Sequence, residues 1–237
     1  MNVLVVDVGG SHVKVLVSGQ REPRRFESGP ALTPAEMVKG VKRLTADWPH
    51  DAVSIGYPGL VVHGRIAMEP RNLGNGWVGF DFGKAFGRPV RIINDAAMQA
   101  LGGYQGGRML FLGLGTGLGS AMIVDGRVEP MELAHLPYRK GRTYEDYVGA
   151  TGLKRLGERK WRKHAWAVID LLRAALEPDI VVVGGGNAKR LGRTPKGVRL
   201  GRTARAFTGG FGLWQEAGVD PTRRGRRPER VSEGRTT

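Results

Sequence analysis

Short apolar runs that end in glycine-rich turns organise most of this chain. One run, Val3 to Val6, leads into Asp7-Val8-Gly9-Gly10-Ser11, and a second, Met109 to Leu114, leads into Gly115-Thr116-Gly117-Leu118-Gly119-Ser120. After each turn a β-branched, apolar pattern resumes, which is typical of a strand and not of a helix. Each unit is therefore predicted to be a strand, a glycine turn and a second strand.

The same patterns predict the remaining elements. The predicted strands are 2–8, 12–18, about 23–27, 53–57, 90–93, 109–114, 118–124, about 127–129 and 180–183. The predicted helices are 34–48, 95–102, about 144–156 and 159–176, with a short helix after Asn187. Three antiparallel strands leading into α/β units occur twice, which predicts a duplicated α/β fold whose ligand lies between two lobes.

We expect three regions along the chain. They are an N-terminal α/β lobe over 1–104, a C-terminal α/β lobe over 105–217, and a tail over 218–237. The tail sets arginines among Gly, Pro, Ser and Thr and has almost nothing to bury, so we expect it to be disordered.

The two glycine turns favour a phosphate site, because glycine allows backbone N–H groups to approach a polyanion closely. A Rossmann site would need a third glycine and a following helix, but Ser120 stands at that position. A P-loop would need a Gly-Lys-Ser/Thr ending, which neither turn has. The remaining alternative is a pair of tight hairpins without a ligand.

Polar residues near these turns are candidates for chemistry. Asn94-Asp95 follows a buried strand and opens a helix, where a carboxylate can accept a proton from a hydroxyl nucleophile; alternatively, Asp95 is only a helix N-cap. Glu132, His135 and Glu145 follow the second hairpin and can bind sugar hydroxyls, although each alone is typical of a solvated surface. A metal site at His135 is disfavoured, because no cysteine or closely spaced His partner completes it.

Composition narrows the class of protein. The 237 residues are 41% apolar, contain no cysteine and carry a net charge of +15. No run is long enough to span a membrane, and the lack of cysteine fits a cytoplasmic protein. The charge first suggests nucleic acid, but there is no recognisable binding motif and aromatic residues make up only 7%, so we expect no specific nucleic-acid partner.

The motifs, taken in order, resemble the ROK sugar kinases of the actin-like ATPase superfamily. The order is D-x-G-G-S, P-G, N-L-G-x-G-W, N-D, G-T-G-x-G-S, E-x-x-H, a later Glu and G-G-G after a strand, and it extends over residues 2–216. Among these kinases the chain is most similar to the polyphosphate glucokinase branch, which lacks the cysteine-rich zinc motif. The resemblance implies a two-lobed actin-like (ribonuclease H-like) duplicated fold with an interlobe cleft.

The resemblance also implies residue roles. Asp95 would be the catalytic base, and Asp7 would hold Mg²⁺ through water. The implied hexose ligands, besides Asp95, are Asn72, Asn94, Glu132, His135 and Glu145. The implied phosphate or nucleotide ligands are Asp7, Gly9, Gly10, Ser11, Lys14, Gly115, Thr116, Gly117, Gly119, Gly185 and Gly186.

The expected activity is transfer of a phosphoryl group from polyphosphate, ATP or both to the 6-hydroxyl of glucose or a related hexose. The alternatives are an ATP-only glucokinase or another hexokinase, and a non-catalytic sugar-binding or regulatory ROK protein. Regulatory members carry an N-terminal DNA-binding module, and we expect none before a strand that begins at residue 2. The family suggests a homodimer, and its usual glycine before the histidine is Ala134 here, which would crowd the loop if its φ were positive.

Overall fold

Two five-stranded sheets form the framework of the computed structural model, which describes residues 1–201 and 205–214. In this described part the strands are β1 (Val3–Val8), β2 (His12–Val17), β3 (Arg24–Glu27), β4 (Ala52–Tyr57), β5 (Val61–Val62), β6 (Arg65–Ile66), β7 (Val90–Asn94), β8 (Arg108–Leu114), β9 (Leu118–Val124), β10 (Arg127–Met131), β11 (Ile180–Gly184) and β12 (Val198–Leu200). The sheet orders are β3-β2-β1-β4-β7 and β10-β9-β8-β11-β12, and β5 and β6 form a small separate hairpin.

The two sheets repeat one topology. β1 pairs antiparallel with β2 and parallel with β4, and β8 pairs antiparallel with β9 and parallel with β11. In each sheet the first two strands are joined by one of the glycine turns. The predicted duplication of a strand–turn–strand unit is confirmed.

The helices are mostly where periodicity predicts them. They are α1 (Pro34–Leu44), α2 (Phe82–Phe86), α3 (Asp95–Leu101), α4 (Tyr144–Val148), α5 (Ala150–Leu156), α6 (Glu158–Leu176) and α7 (Arg205–Gly212), with 3₁₀ turns at Leu133–His135 and Ala188–Leu191. α1 starts at the predicted residue, Pro34, behind a capping box between Thr33 and Glu36, but it ends four residues early. The predicted helix 144–156 is wrong as a single element, because it breaks at Gly149 into α4 and α5.

Three apolar clusters hold the lobes together. One packs α1 and α2 on the outer face of the first sheet, and another packs α4, α5 and α6 on the outer face of the second. The third contains side chains of both sheets together with α3 and α7, which therefore lie between the lobes. The first turn of α3 is thereby placed where both sheets can present groups to it.

Close contact of α7 with the first lobe depends on two glycines. A Cβ at Gly209 would lie 1.9 Å from the Met98 carbonyl oxygen, and one at Gly210 would lie 2.4 Å from a Val5 methyl carbon. The Ser54 hydroxyl donates to the Gly210 carbonyl at 2.7 Å. The helix thus fastens the end of the described chain to the first sheet.

Two predictions from the sequence concern the tail and the boundary between the lobes. The predicted tail, 218–237, lies outside the described residues, and the division at residue 104 stays a prediction. Within the described ranges, no helix is both long and apolar enough to cross a bilayer.

Candidate functional site

The first glycine turn, Gly9 to Ser11, joins β1 to β2 and is held by hydrogen bonds from Ser28, which was not among the predicted site residues. The Ser28 hydroxyl donates to the Gly9 carbonyl, and the Ser28 N–H donates to the Ser11 carbonyl at 3.0 Å. The Gly9 N–H donates to the His12 carbonyl at 3.0 Å, so it is used within the turn. The N–H groups of Gly10 and Ser11 donate to no protein acceptor in the described part of the chain, which leaves them available for an anion.

Asp7 lies at the end of β1 on the face that looks toward the second lobe. Its register partner on β2 is Lys14, and burial raises the pKa of the Asp7 carboxyl while the Lys14 ammonium opposes that rise. Directly opposed residues of an antiparallel pair project to the same side. The predicted phosphate ligand Lys14 therefore stands beside the predicted metal ligand Asp7.

Asn94 and Asp95 have different structural roles at the start of α3. Asn94 is the N-cap: its Oδ1 accepts from the Ala97 N–H at 3.1 Å, and its Nδ2 donates to the Gly59 carbonyl at 3.1 Å. Asp95 is the first residue of the helix, and its Oδ1 accepts from the Ala96 N–H at 2.8 Å. The alternative in which Asp95 is merely the N-cap is wrong, because Asn94 takes that place.

Strand register brings Asp95 close to Asp7. Asp7 is paired with Gly56 on β4, and a Cβ placed on Gly56 would lie 3.5 Å from the Asp95 Cα. Gly56 thus allows α3 to begin against the end of β4, the strand beside Asp7. Nothing in the local pattern around residue 56 pointed to this role.

The Asp95 carboxyl titrates far above the ordinary range of an aspartate. Burial is the main cause, and the nearby charges of Asp7 and then Glu132 add to it; the Ala96 N–H bond opposes them, and the pKa is raised from 3.8 to about 7. A carboxylate with such a pKa is a more effective proton acceptor at neutral pH than an ordinary aspartate. The effect of Glu132 on this pKa indicates that its carboxylate lies within electrostatic range of Asp95.

The second glycine turn, Gly115 to Gly119, contacts the first turn of α3. A Cβ at Gly119 would lie 2.9 Å from the Ala96 Cβ, closer than two carbons pack, so glycine is needed for this approach. The Gly115 N–H is used by the Gly117 carbonyl at 3.1 Å, whereas the N–H groups of Thr116 and Gly117 have no protein acceptor within residues 1–201 and 205–214. The two turns thus offer two free N–H groups each; the first turn follows Asp7, and the second packs against the residue after Asp95.

Glu145 supports the second turn directly. Its Oε2 accepts from the Leu118 N–H at 3.1 Å, and a Cβ at Gly117 would lie 2.1 Å from the same oxygen. The Ala150 N–H at the start of α5 donates to the Thr116 carbonyl at 3.0 Å. The predicted sugar ligand Glu145 is therefore also a structural partner of the predicted phosphate turn.

The third glycine motif, Gly184 to Gly186, packs behind the second turn. Gly185 has φ +84°, and its Cβ would lie 2.3 Å from the Leu114 carbonyl oxygen; a Cβ at Gly184 would lie 2.8 Å from the Phe111 ring. The Asn187 side chain donates to the Gly115 carbonyl at 3.2 Å. Packing alone therefore requires two of these three glycines, while Gly186 is exposed and faces open space.

The segment that carries Glu132 and His135 is fastened by Ser120. The Ser120 hydroxyl donates to the Met131 carbonyl at 2.7 Å and accepts from the Leu133 N–H at 3.2 Å. Ala134 is buried in the 3₁₀ turn and does not have a positive φ, so the condition under which its methyl group would crowd the loop is not met. Glu132 and His135 are exposed at the two ends of this turn.

Asn72 reaches the cleft from the first lobe. A Cβ on Gly10 would lie 3.4 Å from the Asn72 Cβ, so the exposed Asn72 side chain stands over the first glycine turn. The structure therefore brings Asn72 to the first glycine turn and Asp7 close to Asp95, and it ties Glu145 to the second turn; His135 is exposed and takes part in none of these contacts. Their individual roles toward a sugar or a phosphate stay predictions.

The donor set fits Mg²⁺ held largely by substrate and water. Among residues 1–201 and 205–214 no group of three or more His, Asp or Glu side chains is arranged to hold a metal ion. Mg²⁺ at phosphoryl-transfer sites needs only one or two carboxylates, because phosphates and waters complete its shell. Asp7, a partly buried carboxylate beside the turn, suits that role.

Comparison with known proteins agrees with this geometry. The profile of the ROK family matches residues 3–130. A polyphosphate glucokinase of Mycobacterium tuberculosis is 28% identical over 208 residues, which cover 78% of this chain and 77% of that protein.

Solved structures show the same fold. An inorganic polyphosphate/ATP-glucomannokinase from Arthrobacter sp. strain KM superposes with a TM-score of 0.77 at 25% identity, covering 88% of this chain and 96% of that one. A ROK family glucokinase from Streptomyces griseus, solved with glucose and AMPPNP, gives a TM-score of 0.74 at 17% identity and covers 90% of this chain and 99% of that one. The predicted actin-like α/β fold is confirmed, and the chain belongs to the ROK family, as its motif order predicts.

Proposed function

We propose that this chain, a sugar kinase of the ROK family, transfers a phosphoryl group to the 6-hydroxyl of glucose or a closely related hexose. The observation that supports this most is the environment of Asp95 at the start of α3: its carboxyl is coupled to that of Asp7, which precedes the first glycine turn, and the second turn packs against Ala96. Each turn presents two N–H groups that have no acceptor among the described residues. A neutral-pH base and two anion cradles are the parts that phosphoryl transfer to a hydroxyl requires.

The proposed reaction is an in-line displacement. The hexose O6 attacks the terminal phosphorus of the donor, the O6–P bond forms, and the bond from phosphorus to the bridging oxygen breaks. Asp95 accepts the proton of the hydroxyl, while Asn72, Asn94, Glu132, His135 and Glu145 are the proposed hexose ligands. The N–H groups of Gly10, Ser11, Thr116 and Gly117, together with Lys14, stabilise charge on the transferred group.

Mg²⁺ fits beside Asp7, where it would neutralise charge on the donor phosphates. The Asp7 carboxylate is partly buried and close to the Asp95 carboxyl, so a cation bound beside it would offset this negative charge when the donor is bound. Closure of the lobes over the hexose would exclude water and so limit hydrolysis of the donor.

The donor is polyphosphate, ATP or both. Polyphosphate is favoured by the names of the relatives and by the net charge of +15. ATP would be supported by Gly184 to Gly186 if these glycines bound a nucleotide, as the resemblance implies for Gly185 and Gly186. Packing on Phe111 and Leu114 already demands two of the three, which weakens this support. A homodimer and a cytoplasmic location belong to the same proposal, and sedimentation of the purified chain tests the first.

A coupled assay for hexose 6-phosphate tests the proposal. Glucose, mannose and fructose are each offered with ATP or with linear polyphosphate, in Mg²⁺, at about 0.05 and about 0.3 M salt. We expect glucose 6-phosphate to form, with a KM for polyphosphate that rises with salt more steeply than that for ATP. If no combination of hexose and donor yields a sugar phosphate, the proposed function is wrong. A KM for polyphosphate that does not change with salt would contradict binding of polyphosphate along an extended row of basic side chains.

A further inference from the structure

A hairpin over residues 136–144 separates the two proposed hexose ligands on the second lobe. His135 directly precedes it and Glu145 directly follows it. The Tyr144 N–H donates to the Leu136 carbonyl at 3.0 Å, and the Tyr138 N–H donates to the Arg142 carbonyl at 2.8 Å. These bonds close the base of the hairpin and so fix the spacing between His135 and Glu145.

One side chain of the hairpin, Tyr138, packs against the rest of the lobe. Its ring makes edge contacts with Tyr144, Tyr147 and His164, with centroids 5.5, 5.0 and 5.7 Å away. Its hydroxyl lies 3.1 Å from Nδ1 of His164 on α6. This is the polar side-chain contact that joins the hairpin to the long helix of the lobe.

His164 is suited to receive that hydroxyl. Burial lowers the pKa of its imidazole, and the charges of Arg139 and Arg155 lower it further, so the ring is neutral at physiological pH and Nδ1 can accept. The Tyr147 and His164 ring centroids are 4.6 Å apart, which holds the imidazole in place. Guanidinium groups lie over the outer faces of Tyr138 and Tyr147, at 5.2 and 5.1 Å from the ring centroids.

The hairpin is also tied to the donor side of the cleft. Glu145 accepts from the Leu118 N–H of the second glycine turn, so a rotation of the hairpin would move both a hexose ligand and that turn. Small displacements of this kind cost rate, because hexose and donor must be aligned to within a fraction of an ångström.

We propose that Tyr138 and His164 are positioning residues for the hexose: their contact orients the 136–144 hairpin and thereby sets His135 and Glu145 around the sugar hydroxyls. Neither residue touches the reacting atoms. The inference rests on the proposed function, since it assumes that His135 and Glu145 bind a hexose.

The variant Tyr138→Phe removes only the hydroxyl and keeps the ring contacts. We expect its Kd and KM for glucose to rise about fivefold, which corresponds to about 1 kcal/mol, the net value of one hydrogen bond, with a smaller change in the KM of the donor. His164→Ala should give a similar or larger rise. His164→Asn, whose side chain can place an acceptor near the position of Nδ1, should restore most of the affinity.

Tyr104→Phe is a matched control, because the Tyr104 hydroxyl also bonds to backbone groups next to strands of the second sheet. The Tyr104 hydroxyl donates to the Gly107 carbonyl at 3.1 Å and accepts from the Gly126 N–H at 2.9 Å, at the opposite end of the second sheet. It should lower the melting temperature at least as much as Tyr138→Phe does, yet leave the glucose Kd unchanged.

The measurements are glucose titration calorimetry, steady-state kinetics and thermal melting on the full chain. The positioning role would be wrong if the glucose Kd of Tyr138→Phe stayed within twofold of wild type, or if the glucose Kd of Tyr104→Phe rose equally. In either case, activity of the wild-type chain would still support the proposed function. A wild-type chain that neither binds glucose nor forms a sugar phosphate would instead overturn the proposed function, and the positioning role with it.

Discussion

Replacing Asp95 by asparagine should inactivate the protein and stabilise it at the same time. Asparagine keeps an Oδ1 that can accept from the Ala96 N–H, so the start of α3 is preserved. It cannot ionise, and it cannot take a proton from a hydroxyl. Loss of a general base typically costs about 10² to 10⁴ in kcat, and we expect a loss in that range.

The stability gain follows from the pKa of Asp95, which folding raises from 3.8 to about 7. A carboxyl group whose pKa is raised in the folded state contributes its full stability below the unfolded pKa, and this contribution is lost as pH rises through the folded pKa. At 1.36 kcal/mol per pKa unit, the full penalty above pH 7 is at most about 4 kcal/mol. About 1.5 kcal/mol of it is already present near pH 5, so a further cost of roughly 2.5 kcal/mol should develop between about pH 5 and about pH 8.

Urea unfolding followed by tryptophan fluorescence, at a series of pH values between these limits and without sugar, measures the difference. We expect Asp95→Asn to be more stable than wild type by a margin that widens toward pH 8; Asp7 is present in both proteins and cancels to a first approximation. Asp81→Asn is the control, because Asp81 caps α2 at an exposed position. A constant difference across this pH range, or kcat within a few-fold of wild type, would refute the reasoning.

Two further variants test the second glycine turn. Gly119→Ala should lower kcat roughly tenfold or more and cost about 1–3 kcal/mol of stability, because its Cβ would lie 2.9 Å from the Ala96 Cβ. Gly212→Ala is the control, because a Cβ at Gly212 would have no atom within 4 Å, and an equal kcat for both variants would contradict the steric explanation. Glu145→Ala should raise the KM of glucose and the KM of the donor together, because it leaves the Leu118 N–H without its acceptor. A change in the glucose KM alone would contradict a structural role of Glu145 in the second glycine turn.

The ends of strands were predictable, because their signals are local. An apolar run followed by glycine or by Asn-Asp identifies the end of a strand without knowledge of its neighbours, and the structure places β1, β7 and β8 accordingly. The fold class followed from the repetition of these units and from the motif order. The common cleft followed from the topology of the repeated units.

Elements that depend on distant contacts were not predictable in the same way. α7 has glycine at 209 and 210, which disfavours a helix by roughly 1 kcal/mol per residue, and only its close packing on Met98 and Val5 explains the choice. The break between α4 and α5 has a similar origin, since a Cβ at Gly149 would lie 2.8 Å from the Thr116 carbonyl oxygen. Both features exist because a second segment approaches, and that segment is remote in sequence.

The division of roles within the site was also hidden. Asn and Asp are nearly equal as N-caps, so the sequence alone does not decide between Asn94 and Asp95. The supporting bonds of Ser28 to the first turn and of Glu145 to Leu118 join residues 19 and 27 positions apart. Such pairs become visible only once the strands are in register.

The central claim is that Asp95 is the base for a hexose hydroxyl and that its burial beside Asp7 suits it to neutral pH. The pH dependence of kcat/KM for glucose tests this most directly, since it reports the ionisation of the free enzyme. We expect a limb that rises with a slope of one and a midpoint near 7. A profile that is flat from about pH 5.5 to about 8.5, or a midpoint near the ordinary aspartate value, would contradict it.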